Sequence, residues 1–265
     1  MYLSNNKYFL NLELIKNLWE KRITMITPKE IENKTMSPEK RASAKNDYFA
    51  FYIGRPISYI ITIPFLYSDI RPDTVSTISI VPIIVGFIIM SIGKSKGNLV
   101  IGWICFFIWN LLDGVDGNIA RYKHQFSRMG SVYDAMSGYI AMILSFFAWG
   151  IAAAHNPGIL QSYFNISSEL YIIIGALSGI FVIFPRFIMH KAITTLKNPN
   201  AMNEVKDKSE YGTLKIIALN LTSISGFVQV LMLVAILLNM LDLFTVCYFM
   251  LNLVVMLISL KNIFD

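Results

Sequence analysis

Six apolar runs dominate the chain and restrict it to one kind of solvent. They cover approximately residues 74–93, 98–120, 131–153, 169–190, 213–238 and 241–260, the last two parted by a tight turn near Asn239 to Asp242. About 20 apolar residues at 1.5 Å rise cross the hydrocarbon of a bilayer. Backbone polar groups in lipid must be satisfied within the segment, which selects helices. Of the 265 residues 55% are hydrophobic and 15% charged, too apolar for an ordinary soluble surface. The expected fold is therefore an all-α integral membrane protein with six transmembrane helices, preceded by an interfacial amphipathic helix.

Charge orients these spans. With a cytoplasmic N-terminus, 21 of the 23 Lys and Arg residues fall on inside segments and only Lys94 and Lys96 lie outside. That asymmetry follows the positive-inside rule and places both termini in the cytoplasm of a multi-pass protein. The net charge of +6 is then explained by anionic lipid and anionic substrates, with no nucleic-acid partner required. Cys105 and Cys247 fall within spans and read as small apolar side chains.

Residues 1–47 read as a cytoplasmic extension, and 48–265 as the membrane domain. The extension carries an amphipathic run from Tyr8 to Trp19 and a polar linker, NKTMSPEKRASAKND. No signal-peptide core is present in its first residues, because Asn11, Glu13 and Lys16 interrupt the apolar run. Residues 53–73 are short for a span and broken by Pro56 and Pro64, which suits a helix lying along the inner face. The 191–212 stretch reads as a solvated connection. Trp103, Trp109 and Trp149, near helix ends, read as interface anchors.

The chemistry concentrates in WNLLDGVDGNIARYKHQFSRMGSVYDAMSG, residues 109–138. An ionised Asp near the end of an apolar helix is costly, and intramembrane acids mark function by default. Asp113 and Asp116 are three apart and share a helix face; Asp134 opens the next span and meets them across a hairpin. Carboxylates gathered in this way favour protonation unless a cation sits among them. Oxygen-only ligation suits Mg²⁺ or Mn²⁺ rather than zinc. Gly114, Gly117, Ala120 and Gly130 clear space for a bulky ligand, and Arg121 brings a planar fork suited to phosphate. The combination describes a diphosphate site. The rival reading has small residues packing helices while the acids pair with Arg121 and Arg128.

Asp113-x-x-Asp116-Gly117-x-x-Ala120-Arg121, eight residues, then Gly130-x-x-x-Asp134 resembles the signature of the CDP-alcohol phosphotransferase family at seven of its eight fixed positions. Pro72-Asp73-Thr74-Val75-Ser76 and Arg55-Pro56-Ile57-Ser58 are similar to the family's lead into its first span. The resemblance implies a six-helix membrane domain, usually homodimeric, whose cavity opens to the cytoplasm. It implies displacement of CMP from a CDP-linked alcohol and transfer of the phosphoryl-alcohol to an acceptor that carries a hydroxyl or phosphate and is in some members a lipid. By position, Asp113, Asp116 and Asp134 would hold the metal; Gly117, Ala120 and Gly130 would accommodate the CDP moiety; Arg121 would bind its phosphates. Arg186, His190 and Arg55 are candidates for the acceptor's anion.

The departure is Gly138, where the family pattern has a last Asp, the expected general base. Asp134, Tyr139 or His124 could stand in, the acceptor could arrive ionised, or the chain could bind a CDP-alcohol without turning it over, as the subunit of a partner enzyme.

Overall fold

The computed structural model describes residues 25–196 and 212–264. The amphipathic run of residues 8–19 and most of the 191–212 stretch lie outside them. All regular elements among the described residues are helical. In chain order the α-helices are α1 (Pro28–Thr35), α2 (Pro38–Ala44), α3 (Arg55–Leu66, entered through a π-helical turn Ala50–Gly54), α4 (Pro72–Ile78), α5 (Ile80–Ile92), α6 (Lys96–Tyr122), α7 (Gly130–His155), α8 (Ile159–Tyr163), α9 (Ser168–Leu196), α10 (Thr213–Thr222), α11 (Phe227–Leu238) and α12 (Leu241–Phe264). The first expected span is α4 and α5 in series; α6, α7, α9 and α12 each suffice alone. The fifth is a broken one: α10 and α11 meet at 57° across residues 223–226. α9 runs through Leu196, so the connection after it starts later than residue 191.

Local sequence sets these boundaries. Thr27 and Ser37 accept from the backbone N–H of Glu30 and Lys40, each with Pro at the first helical position, which starts α1 and α2. Ser95 caps α6 in the same way. The turn between α11 and α12 uses Asn239 in the left-handed conformation, φ 57°. Asp242 follows it fully buried, its carboxylate accepting from the backbone N–H groups of Gly158, Gln161 and Leu243 at 3.1, 2.9 and 2.8 Å. That acid is structural: it ties the α7–α9 connection to the start of α12.

The main core lies between α5, α6, α7, α9, α11 and α12. Trp149 and Trp109 belong to it, 1% and 2% exposed, and are not interface anchors. Trp149 packs edge-on against Phe146 and Phe244, and Trp109 donates its indole N–H to Ser137 at 2.9 Å. The α7–α9 contact is close because Gly150 and Gly175 face each other. A Cβ on Gly150 would lie 2.5 Å from the Tyr171 carbonyl oxygen, and one on Gly175 would lie 2.7 Å from Gly150 Cα.

A second core cluster anchors the N-terminal segment. Ile31 of α1, fully buried, sits with Tyr59 and Leu66 of α3, Val75 of α4, and Val115 and Ile119 of α6. At its edge Tyr122 donates to Glu30 at 2.7 Å, and Lys34 pairs with Glu30 at 2.8 Å. α3 lies along α6 through a polar seam in which Asn118 donates to Ser58 and Thr62 at 3.3 and 3.2 Å. The helices α1 to α3 are thereby held against the end of α6 that carries the acids.

Candidate active site

A cavity of about 530 Å³ opens between α2, α3, α4, α6 and the start of α7. Its lining includes Asp113, Asp116, Gly117, Ala120 and Arg121 of α6, Gly130 and Asp134 of α7, and Arg55 of α3. The helical rise sets their depths. Asp116 and Asp113 lie about 9 and 14 Å before the end of α6, while Asp134 lies about 6 Å into α7. The charges of Asp116 and Asp134 both act on Asp113, and Arg121 acts on Asp116 and Asp134.

Asp116 is buried and accepts a short hydrogen bond from the Ser76 hydroxyl of α4. One turn on, Ser79 shares a 2.7 Å hydrogen bond with Ser137 of α7. The acid therefore sits on a polar seam joining the first three spans, the usual way in which helices in lipid satisfy polar side chains. Arg121 curls back over Gly117: a Cβ there would lie 2.8 Å from one guanidinium nitrogen. The same side chain donates weakly to Asn118 at 3.4 Å, while its buried Nε has no partner.

The oxygen-only donor set of Asp113, Asp116 and Asp134 fits a hard divalent cation in kind. Among the described residues, no three His, Cys, Asp or Glu side chains are drawn together tightly enough to enclose a metal ion. Asp116 is turned toward Ser76, and the cavity stays open between the acids.

Other candidates fall elsewhere. Arg186 and His190 are exposed on α9 and do not line this cavity. His190 Nδ1 lies 3.3 Å from the Tyr139 hydroxyl, and Tyr139 also packs edge-on against Phe187. His124 is exposed in the α6–α7 turn with φ 54° and is likewise outside the lining. Arg55, expected to serve an acceptor's anion, lines the cavity together with Arg121.

Several lining residues were given no role from sequence. Asp73 begins α4 and accepts from Ser127 at 3.0 Å. Asn110 donates to the Ser225 carbonyl at 3.0 Å, and both line the cavity beside the broken fifth span. Lys40 reaches it from α2. For Asp73 and Ser76 the signal was present, since both lie in the Pro72–Ser76 stretch; for Lys40 there was none.

An all-helical bundle with acids and cations around one cavity at the end of its spans defines a polytopic membrane protein with a polar ligand site. The chain belongs to the CDP-alcohol phosphatidyltransferase family, whose sequence model matches residues 70–260. Membership carries the family's general activity, phosphotransfer from a CDP-alcohol donor to an alcohol acceptor in a membrane. Among curated proteins, none matches the chain.

Proposed function

We propose that the chain is a working transferase that displaces CMP from a CDP-linked alcohol in the 530 Å³ cavity, with Mg²⁺ or Mn²⁺ bound by Asp113, Asp116 and Asp134. The observation that carries this reading is that three acids and an incompletely bonded arginine line one cavity. A bound divalent cation would supply positive charge to the diphosphate. Arg121, with its buried Nε unpaired, binds a phosphoryl oxygen, and Gly117 leaves room for that fork to turn.

The reaction is a substitution at the phosphorus that bears the alcohol. The acceptor oxygen bonds to that phosphorus, the bond to the bridging oxygen breaks, and CMP leaves with the electron pair. The acceptor's proton goes to a base. Of the three stand-ins for the acid missing at Gly138, Asp134 lines the cavity, whereas Tyr139 is engaged with His190 and His124 lies outside. Asp134 therefore takes the proton in this reading. The distribution of Lys and Arg supports a site open to the cytoplasm with both termini on that side.

Gly138 favours a second reading, in which the chain binds a CDP-alcohol without turning it over. CMP release from a panel of CDP-alcohols with Mg²⁺, with Asp116→Ala as control, separates the two. Release from at least one donor, lost in the variant, supports the transferase. Tight Mg²⁺-dependent CDP binding with no release across acceptors overturns it.

A further inference from the structure

Lys40 stands outside everything the family match covers: it lies on α2, while the match begins at residue 70. Yet its side chain lines the same cavity as Asp113 and Asp116. It sits within electrostatic reach of both Arg121 and Arg55. Three cations on one wall repel one another, and among the described residues none of the three forms an ion pair. Repulsion of this kind persists in a fold when a ligand of opposite charge is the intended partner. The segment is held firmly enough to present the side chain, because Ile31 is buried against α6 and the Glu30–Tyr122 hydrogen bond ties α1 to the end of that helix. Arg41, next to Lys40, pairs with Glu32 and leaves Lys40 directed into the cavity.

We propose that Lys40 is a substrate-binding residue, a phosphate ligand delivered into the cavity by the N-terminal segment. It completes with Arg55 and Arg121 a three-cation wall for a phosphoryl anion, and it rests on the reading of the cavity as a CDP-alcohol site. Supporting this, burial first, and then the charges of Arg121 and Arg55, push the Lys40 ammonium down to about 7, the condition of a cation awaiting its counter-charge. The anion is a phosphate oxygen group, either of the donor's diphosphate or of a phosphorylated acceptor, since a lysine binds both alike as a point charge.

The test uses the full chain in lipid nanodiscs with Mg²⁺. Binding of CDP, of cytidine, and of inorganic phosphate to the CDP-saturated protein is measured for wild type, Lys40→Met, Lys40→Arg and Lys45→Met, with thermal unfolding followed in parallel. Lys45 is exposed on the same segment and outside the cavity. Lys40→Met should weaken CDP binding on the order of tenfold or more if the donor's diphosphate is the ligand, or weaken phosphate binding similarly if it is the acceptor's. Lys40→Arg should restore most of the loss, and cytidine binding and Lys45→Met should be unchanged. Wild type that binds CDP, with Lys40→Met equal to it in both arms, overturns the inference and leaves the proposed function standing. Loss that Lys40→Arg does not rescue and that tracks a lowered unfolding temperature overturns it as well. Wild type that binds neither CDP nor phosphate overturns the proposed function itself and this inference with it.

Discussion

Replacing Gly138 with Asp restores the acid absent from the motif, and the structure sets the terms on which it would sit. Gly138 lies one turn beyond Asp134 on the same face of α7, eight residues from its start, at a depth of about 12 Å; Asp113 lies about 14 Å from the end of α6. A side chain there lies at about the depth of Asp113, one turn beyond Asp134, the last residue of α7 that lines the cavity. A Cβ at 138 would touch only Met142 Cε, at 4.0 Å, so packing does not require glycine. Removing a helix-interior glycine gains about 0.5–1 kcal/mol. The lower helix propensity of Asp returns roughly 0.7 kcal/mol of that, and a like charge four residues from Asp134 costs about 0.2–0.5 kcal/mol. The net change in stability is near zero if the carboxylate faces the cavity, against several kcal/mol lost if it faces lipid. A positioned general base is worth roughly 10²–10⁴ in rate for a hydroxyl acceptor. Gly138→Asp should therefore unfold within a degree or two of wild type, on the order of 1 kcal/mol or less, and release CMP at least tenfold faster, a cautious share of that range. Gly138→Ala should be more stable than wild type and no faster. A Gly138→Asp protein that is strongly destabilised, or whose CMP release falls, would refute the expectation that an acid placed one turn beyond Asp134 reaches the reacting groups.

Other expectations concern the same cavity and its supports. Asp113→Asn and Asp116→Ala should each lower CMP release by on the order of 10³-fold or more, and chelation of divalent cations should do the same reversibly in wild type. Gly150→Leu forces a side chain where a Cβ already meets the Tyr171 carbonyl at 2.5 Å, and should cost about 1–3 kcal/mol or more in unfolding. For pH, anion binding needs the Lys40 ammonium, which is held down to about 7 chiefly by burial with Arg121 and Arg55 adding to it. CDP affinity should be full below that value and decline as pH rises above it, and Lys40→Arg should flatten the decline, the facing groups Arg55, Arg121, Asp73, Asp113, Asp116 and Asp134 being the same in both proteins. The linked effect on folding has the opposite sign: a lysine lowered in the folded state adds stability as pH climbs from about 7 toward the ordinary lysine range.

Much of this architecture is written in apolar run length. The five unbroken spans match their runs to within a few residues at most ends, since hydropathy directly measures what a bilayer demands. The acid motif was legible because it is local, two residues one turn apart and a third across a short hairpin. Hydropathy did not reveal the 57° break, although Asn220, Ser223, Ser225 and Gly226 mark it. Those groups find partners in the N-terminal segment: Tyr48 N–H donates to Asn220 at 2.9 Å, and Ser223 to Asp47 at 2.7 Å. Such pairings span more than 170 residues and leave no periodic trace. Trp149, six residues from the end of α7, reads alike from sequence whether it faces headgroups or fills the space between helices, whereas Trp109 sits midway along α6, too deep for an interface anchor. Lys40 stands in a polar linker, and only the docking of Ile31 onto Val115 and Ile119 brings it to the cavity.

The competing structural explanation for the acids is that they exist to pair with Arg121 and Arg128 while small residues bring helices together. The ion pairs formed among the described residues are Lys34–Glu30, Arg41–Glu32 and Arg71–Asp73, and none of them involves Asp113, Asp116, Asp134 or Arg121. A buried pair contributes only when its geometry and remaining hydrogen bonds are satisfied, and a packing role would have placed Arg121 on a carboxylate. Instead its Nε is left without a partner, its fork lies over a glycine, and Asp116 bonds a serine hydroxyl. Small residues do bring helices together, at Gly150 and Gly175 between α7 and α9 and at Gly114, where a Cβ would lie 3.0 Å from Ser58 of α3, but that contact leaves the acids and Arg121 unpaired all the same. Charges of both signs thus line one cavity without neutralising each other, an arrangement that raises the free energy of the folded protein. A ligand that carries negative phosphoryl oxygens and arrives with a divalent cation satisfies both walls at once, whereas a neutral solute or a lone anion would satisfy at most one.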